Sequence, residues 1–325
     1  MKYARAASIF ALLAAQPAVA GNVGFMHRMV PDGTNPPLDV GIWYPTAAAP
    51  HPTRVALFTQ TLAADAPLAG SALPLVVMSH GHGGEFAGHS DTAWALASAG
   101  FVVAAPTHTG DNYRDQSRAT DIGGRVRQFS AVLSYMETAW KPGAVDPARA
   151  GAFGFSAGGM TVLIAAGGAL DLSLIGPHCA AHPGFFDCHL LRDHKVAPPA
   201  APTLVTAPSA AKLRAIVVAA PALGYSFTRE GLRAVTAKVQ LWRADNDHIL
   251  PAPFYADTVR ANLPLAPDFQ DVPNAGHFDF LAPCPPALVA IAPDICTSAP
   301  GFSRAAFHAR FNQDIVAFFA AHLAP

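Results

Sequence analysis

Charged residues are scarce in this 325-residue sequence. Asp, Glu, Lys and Arg make up 13% of it, against about 25% in an average soluble domain. Lys and Arg number 21 and Asp and Glu 22, so the chain lacks the positive excess that a nucleic-acid-binding face requires. The scarcity of charge also excludes an acidic or basic disordered tail protein, and the apolar fraction is 51%. These numbers predict a compact domain of enzyme size with a buried sheet and no nucleic-acid partner.

Long apolar runs are missing as well, so we expect no integral membrane association. The N-terminus instead has the plan of a secretory signal peptide: a positively charged start, an apolar run at Ala6–Ala15, and the small residues Ala18 and Ala20 at the cleavage position. A membrane anchor is the alternative, but the run is too short for one. We therefore predict a signal peptide at 1–20, cleaved after Ala20, a periplasmic or secreted location, and a mature domain at 21–325.

Cysteine is rare, with four residues and no C-x-x-C motif that would favour a metal site. An even number of cysteines in an exported chain indicates disulfides. The four residues form two close pairs in Pro-rich stretches, so the prediction is local pairing, Cys179 with Cys188 and Cys284 with Cys296. Free buried thiols are the alternative.

Apolar strands and amphipathic helices alternate along the chain, which predicts an α/β fold with helices on both faces of a mostly parallel sheet. The predicted strands are Val23–Val30, Leu38–Tyr44, Val55–Gln60, Leu75–Ser79, Phe101–Ala105, Ala150–Phe155, Leu213–Ala220, Lys238–Arg243 and Phe269–Val272. The predicted helices are Asp91–Ala99, Asp121–Trp140, Ala157–Ala166, Phe254–Leu263 and Arg304–Leu323. Residues 168–212 break the alternation and are predicted as a cap insertion.

The segment Gly154-Phe155-Ser156-Ala157-Gly158 carries the sharpest chemical signal. It lies where a predicted strand meets a predicted helix, which is the setting of a nucleophile elbow. There the serine occupies a tight turn that small neighbours allow to close, and its hydroxyl projects clear of the sheet. A Gly-rich turn with a serine cap is the alternative. We predict Ser156 as the nucleophile of a hydrolase.

A serine hydroxyl needs a base, and in a fold with this elbow the partners follow in the order Ser, acid, His. His277 follows the last predicted strand in a Gly-containing turn and is the predicted base. The acid is expected after the strand Lys238–Arg243, where Asp245 and Asp247 both qualify. Asp247 is preferred because the segment Asp247–Pro251 resembles the Asp-x-x-(apolar)-Pro segment that commonly carries the acid in this fold, and Asp245 is the alternative.

The segment His80-Gly81-His82-Gly83-Gly84 follows a buried strand and has the composition of an oxyanion loop. We predict that the backbone N–H groups of His82 and Ala157 bind the oxyanion. A zinc site is the alternative, formed by His80 and His82 with His89 and His108. A Ser-Asp-His triad needs no metal, so no metal and no cofactor are predicted.

Together these motifs resemble the α/β-hydrolase superfamily, and within it the bacterial predicted dienelactone hydrolases and the secreted platelet-activating-factor acetylhydrolases. The matching segments are Val40–Pro45, Ser79–Gly84, Asp146–Arg149 and Gly276–Leu281, and Cys284, Cys296 and Gly301–His308 also look like family features. One departure concerns the nucleophile, since dienelactone hydrolases use a cysteine where Ser156 stands here. The family name therefore carries little information on the substrate.

These observations predict a secreted serine ester hydrolase that forms an acyl-enzyme on a carboxylic ester. Its substrate is expected to be a small-molecule, lipid or polymer ester, of short-acyl, phospholipid or polyester type. An amide hydrolase or peptidase with the same triad is the alternative within enzymes. A non-catalytic binding protein of the same fold is the alternative outside them, although such proteins usually lack a triad member.

Overall fold

The computed structural model describes residues 21–208 and 212–324, so the predicted signal peptide lies outside the described residues. The strands are β1 (Asn22–Asp32), β2 (Asn35–Thr46), β3 (His51–Val55), β4 (Phe58–Ala64), β5 (Leu73–Ser79), β6 (Val102–Thr107), β7 (Val145–Phe155), β8 (Leu170–Asp171), β9 (Leu204–Val205), β10 (Ala215–Ala219), β11 (Lys238–Ala244) and β12 (Asp268–Val272). The helices are α1 (Ser90–Ser98), α2 (Ile122–Thr138), α3 (Ala157–Ala165), α4 (Ile175–Ala181), α5 (Phe186–Asp193), α6 (Arg229–Leu232), α7 (Ala256–Asn262), α8 (Pro286–Ile291), α9 (Pro293–Cys296) and α10 (Arg304–His322).

The central sheet has the strand order β12-β11-β10-β7-β5-β6-β2-β1-β4-β3 in the described part of the chain. The six strands from β12 to β6 run parallel, and β2 and β1 continue the sheet antiparallel. The carboxyl ends of β5, β7, β11 and β12 therefore meet at one edge. All the predicted site segments follow these four strands, so the topology brings them together.

The two faces of the sheet carry separate hydrophobic cores. Leu75 and Val77 of β5 pack on the side of α2 and α3, whereas Val76 and Met78 pack on the side of α1 and α10. A strand buried on both faces reads as an unbroken apolar run, which is why β5 has no polar alternation. The prediction of helices on both faces of a mostly parallel sheet is confirmed.

The predicted strand Val55–Gln60 is wrong. The chain turns back at Ala56 and Leu57, and β3 and β4 form an antiparallel hairpin in which Val55 pairs with Phe58. Ala56 adopts φ 51°, a left-handed conformation that glycine or asparagine usually signals in such a turn. Because the turn residues here are apolar, the chain reversal has no recognisable turn signal in the sequence, and the segment has the pattern of a single strand.

The predicted cap segment, of which the structure describes 168–208 and 212, contains α4, α5 and the short ribbon of β8 and β9. A disulfide between Cys179 and Cys188 joins α4 to α5, and a second disulfide joins Cys284 to Cys296. Both pairings are the predicted ones, and two disulfides fit an extracellular or periplasmic protein. None of the helices within 21–208 and 212–324 has the length and apolarity that a bilayer crossing requires.

Candidate active site

Ser156 occupies a strained turn between β7 and α3, with φ 55° and ψ −119°. The glycines around it allow the backbone to close. A Cβ atom on Gly154 would lie 2.2 Å from the carbonyl oxygen of Gly158, and one on Gly158 would lie 1.9 Å from that of Ser79. No side chain fits at either place, which is the physical reason for the G-x-S-x-G pattern.

His277 lies in the turn after β12, and both of its ring nitrogens are engaged. Its Nε2 is 3.0 Å from the Oγ of Ser156, and its Nδ1 is 2.7 Å from the Oδ2 of Asp247. The ring is almost fully buried and packs on Phe155, with 4.8 Å between ring centroids. The backbone just before it is held by a hydrogen bond of 2.8 Å from Gly276 N–H to Asp279.

Asp247 is the acid that the structure brings to His277, and its second oxygen is also occupied. That Oδ1 accepts hydrogen bonds from the N–H groups of Ile249 (2.8 Å) and Leu250 (2.7 Å). Burial by itself raises the pKa of Asp247, but His277 and these two N–H groups hold it below its usual value. Asp245 is instead 57% exposed, and its nearest cation is Arg243 at 4.0 Å.

The predicted oxyanion loop lies directly beside Ser156. A Cβ atom on Gly81 would stand 3.2 Å from the Cβ of Ser156. His82 and Ala157 line the same cavity as Ser156. The structure therefore brings all five predicted site residues together at the edge where β5, β7, β11 and β12 end.

Two histidines of the zinc alternative, His80 and His108, have their ring nitrogens engaged in hydrogen bonds within the protein. His80 accepts a hydrogen bond from His108 N–H at 2.9 Å through Nε2 and shares one of 2.6 Å between Nδ1 and the Gly81 carbonyl. His108 contacts Ser79 and Gln128. Burial, followed by Arg125, lowers the pKa of His80 to about 3, so the ring is neutral. No group of three or more metal-ligating side chains converges anywhere in 21–208 and 212–324.

A cavity of about 240 Å³ opens at Ser156 and extends beneath the predicted cap. The part of the domain outside the predicted cap contributes residues that include Ile122, Met160 and Leu250. The cap segment contributes Leu172, Ile175, Phe186, Leu190, Leu191 and Val196. Phe186 lines the cavity, but its neighbour Phe185 turns the other way and packs on His182 and Phe254, with ring centroids 4.8 and 5.7 Å away. An apolar lining of this kind is typical of an acyl-binding pocket.

Two buried charged residues near the site, Asp111 and Arg125, were missed by the sequence analysis. Asp111 contacts the ring of His82, and Arg125 contacts Asp111. The sequence held only a weak signal for this pair, namely that Arg125 directly adjoins the apolar stripe of a long predicted helix.

Two comparisons with known proteins bear on the fold and the class of the chain. A family model described as platelet-activating factor acetylhydrolase, isoform II, matches residues 55–122. A ferulic acid esterase from Streptomyces cinnamoneus has a similar structure, with a TM-score of 0.64 over 95% of this chain and 92% of that one, at 21% identity. The chain has an α/β-hydrolase fold. A search of the curated proteins gave no match.

This is the fold that the sequence predicted. The family match, taken with the fold, also bears out the predicted class of carboxylic ester hydrolase. That match spans the end of β3, strands β4 to β6, helix α1 and the predicted oxyanion loop, but it ends before Ser156.

Proposed function

We propose that this α/β hydrolase is an exported serine carboxylic-ester hydrolase whose triad is Ser156, His277 and Asp247. One observation carries the proposal. A continuous path of hydrogen bonds, 3.0 Å and then 2.7 Å, runs from the Ser156 hydroxyl through the His277 ring to the Asp247 carboxylate. Nucleophile, base and orienting acid are thereby linked in the geometry that acyl transfer requires.

In the first half-reaction the Ser156 hydroxyl attacks the ester carbonyl while its proton passes to Nε2 of His277. The tetrahedral oxyanion is stabilised by the N–H groups of His82 and Ala157. Collapse of this intermediate breaks the ester C–O bond, and His277 returns the proton to the departing alkoxide. A water molecule, activated by the same ring, then releases the acid from Ser156. Neither a metal nor a cofactor enters this sequence.

Asp247 contributes by remaining ionised. Since its pKa is held below the usual value, the carboxylate carries a negative charge throughout the neutral range. It then accepts the Nδ1 hydrogen of His277, which leaves Nε2 free to take the Ser156 proton, and it stabilises the imidazolium that forms.

The cavity supports an ester with a neutral, apolar acyl chain as the substrate class. Of the described residues that line it, Asp187 alone carries a carboxylate. That carboxylate is occupied, because Tyr225 and Tyr255 donate their hydroxyls to it at 2.5 and 3.0 Å. No Lys or Arg is among the described residues that line the cavity, so an anionic acyl group would lose its hydration there without a permanently charged partner, which favours aliphatic chains.

A substrate panel tests the proposal. We expect p-nitrophenyl esters of linear fatty acids to be hydrolysed and the matching p-nitroanilides to remain largely uncleaved. Faster cleavage of the anilides would favour the amide hydrolase, and no turnover of either series would favour a binding protein. Activity that is lost on removal of divalent metal would contradict the triad mechanism.

We also propose that 168–212 acts as a cap that selects the acyl chain. Phe186→Ala removes a ring from the cavity wall, so the ratio of kcat/KM for octanoyl over acetyl esters should change by roughly tenfold or more, as expected for about 1–3 kcal/mol of altered apolar contact. Phe185→Ala is the matched control, since its ring packs on His182 and Phe254 outside the cavity. Equal chain-length profiles for Phe186→Ala and wild type would make the segment purely structural.

Export completes the proposed function. The two disulfides support an oxidising compartment, and residues 1–20 are proposed as the signal that directs the chain there. N-terminal sequencing of the exported protein should then begin at Gly21.

A further inference from the structure

Behind the oxyanion loop lies a buried carboxylate, Asp111, that is only 1% exposed. Its Oδ1 accepts hydrogen bonds from the His82 ring at 2.6 Å and from the Gly83 N–H at 3.1 Å. This one oxygen therefore binds both the side chain of His82 and the backbone N–H of Gly83, and it fixes the loop at two neighbouring residues. Burial alone raises the pKa of Asp111, but Arg125 and His82 lower it well below its usual range, so the group is ionised.

The other oxygen of Asp111 leads to a second segment of the site. Arg125 of α2 donates to it at 2.5 Å through Nη1, and through Nη2 the same guanidinium donates to the His80 carbonyl. Its Nε is 3.4 Å from the hydroxyl of Thr161, which donates to the Ala157 carbonyl at 2.8 Å. A single guanidinium therefore connects the loop after β5 to the first turn of α3.

Stability alone is a poor explanation for this arrangement. A buried ion pair often contributes no more stability than hydrophobic residues of the same volume, because both charges must be desolvated. Its contacts, however, fall on the two segments that present the His82 and Ala157 N–H groups. The planar fork of arginine suits it for holding such segments at a fixed distance.

We propose that Asp111 and Arg125 are positioning residues that hold the two oxyanion donors, the N–H groups of His82 and Ala157, at one fixed separation. This inference rests on the proposed function. Preorganised donors matter because they are aimed at the charge that develops in the transition state and need no reorganisation during the reaction. The pair therefore acts on kcat more than on substrate binding.

Asp111→Asn tests the inference, because it keeps the shape of the side chain and removes its charge. Loss of one oxyanion donor lowers kcat by about 10²–10³-fold, so misplaced donors should lower it roughly 10- to 100-fold with KM nearly unchanged. Inhibition by a trifluoromethyl ketone, which forms a tetrahedral oxyanion on the serine, should weaken by a similar factor. Arg125→Lys, which keeps the charge but loses the fork, is expected to behave in the same way.

Asp32→Asn is the matched control. Asp32 is also a buried carboxylate, and it pairs with Arg127, which lies two residues from Arg125 on the same helix, but it has no contact with the oxyanion segments. It should lower the melting temperature without changing kcat per folded molecule. Thr161→Val, which removes only the hydroxyl link to Ala157, provides a milder variant should Asp111→Asn fail to fold, and we expect it to lower kcat severalfold.

The possible outcomes separate the two proposals. If wild type cleaves esters and folded Asp111→Asn or Thr161→Val retains both kcat and ketone affinity, the pair is structural and the inference is wrong. A fall in kcat that merely parallels that of Asp32→Asn would also overturn it. If instead wild type fails to cleave any ester, it is the proposed function that fails.

Discussion

Ser156→Ala is expected to lower ester turnover by at least about 10⁴-fold, leaving the residual acceleration that binding and the oxyanion donors provide. The reason is geometric. The Ser156 hydroxyl is the group that His277 reaches at 3.0 Å, and alanine leaves the base without a proton to accept. The measurement is kcat for a p-nitrophenyl ester, together with covalent labelling by an organophosphonate that should map to Ser156 in wild type and disappear in the variant.

Ser130→Ala is a suitable control for that loss. The Ser130 hydroxyl donates only to the Val126 carbonyl of its own helix, at 2.9 Å, so its removal should leave turnover unchanged. Labelling at a serine other than Ser156, with activity intact in the alanine variant, would remove the basis of the triad.

Much of this fold could be predicted because the relevant signals are local. Glycine is required at 154 and 158 because backbone atoms come closer there than a Cβ atom permits. The spacing of these glycines around Ser156 therefore indicates the turn directly. The buried run of β5 has the continuous apolar character that a parallel strand requires. In both cases a physical constraint acts within a few neighbouring residues.

The contacts that the sequence analysis missed are those that depend on distant parts of the chain. Asp111 and Arg125 are 14 residues apart, and their partners lie in the loop after β5 and in α3. Nothing within a window of sequence distinguishes such a pair from surface charges. Likewise Phe185 and Phe186 are adjacent and chemically identical, yet the fold directs only Phe186 into the cavity.

The two acid candidates are only two residues apart in the sequence, but the fold gives them different surroundings. Asp245 directly follows β11, next to Arg243, whose guanidinium is already paired with Asp257 and Asp271. Two residues later the chain has turned inward, and Asp247 is 7% exposed. Both positions carry an aspartate. Only the path of the loop therefore decides which of them is a surface charge and which is a carboxylate at the candidate site.

Asp247→Asn should therefore lower kcat/KM by about 10⁴-fold, as it does when the acid of a serine triad is changed to the amide, whereas Asp245→Asn should leave it within about twofold. In Asp247→Asn the amide oxygen keeps the N–H groups of Ile249 and Leu250, so the NH2 group faces Nδ1 of His277 and forces the ring into the tautomer with its hydrogen on Nε2. That ring cannot accept the Ser156 proton, although the fold is preserved. Steady-state kinetics on both variants, with near-UV circular dichroism to show that each is folded, provides the comparison. The reverse order of effects would make Asp245 the acid and would require a different path for the loop after β11.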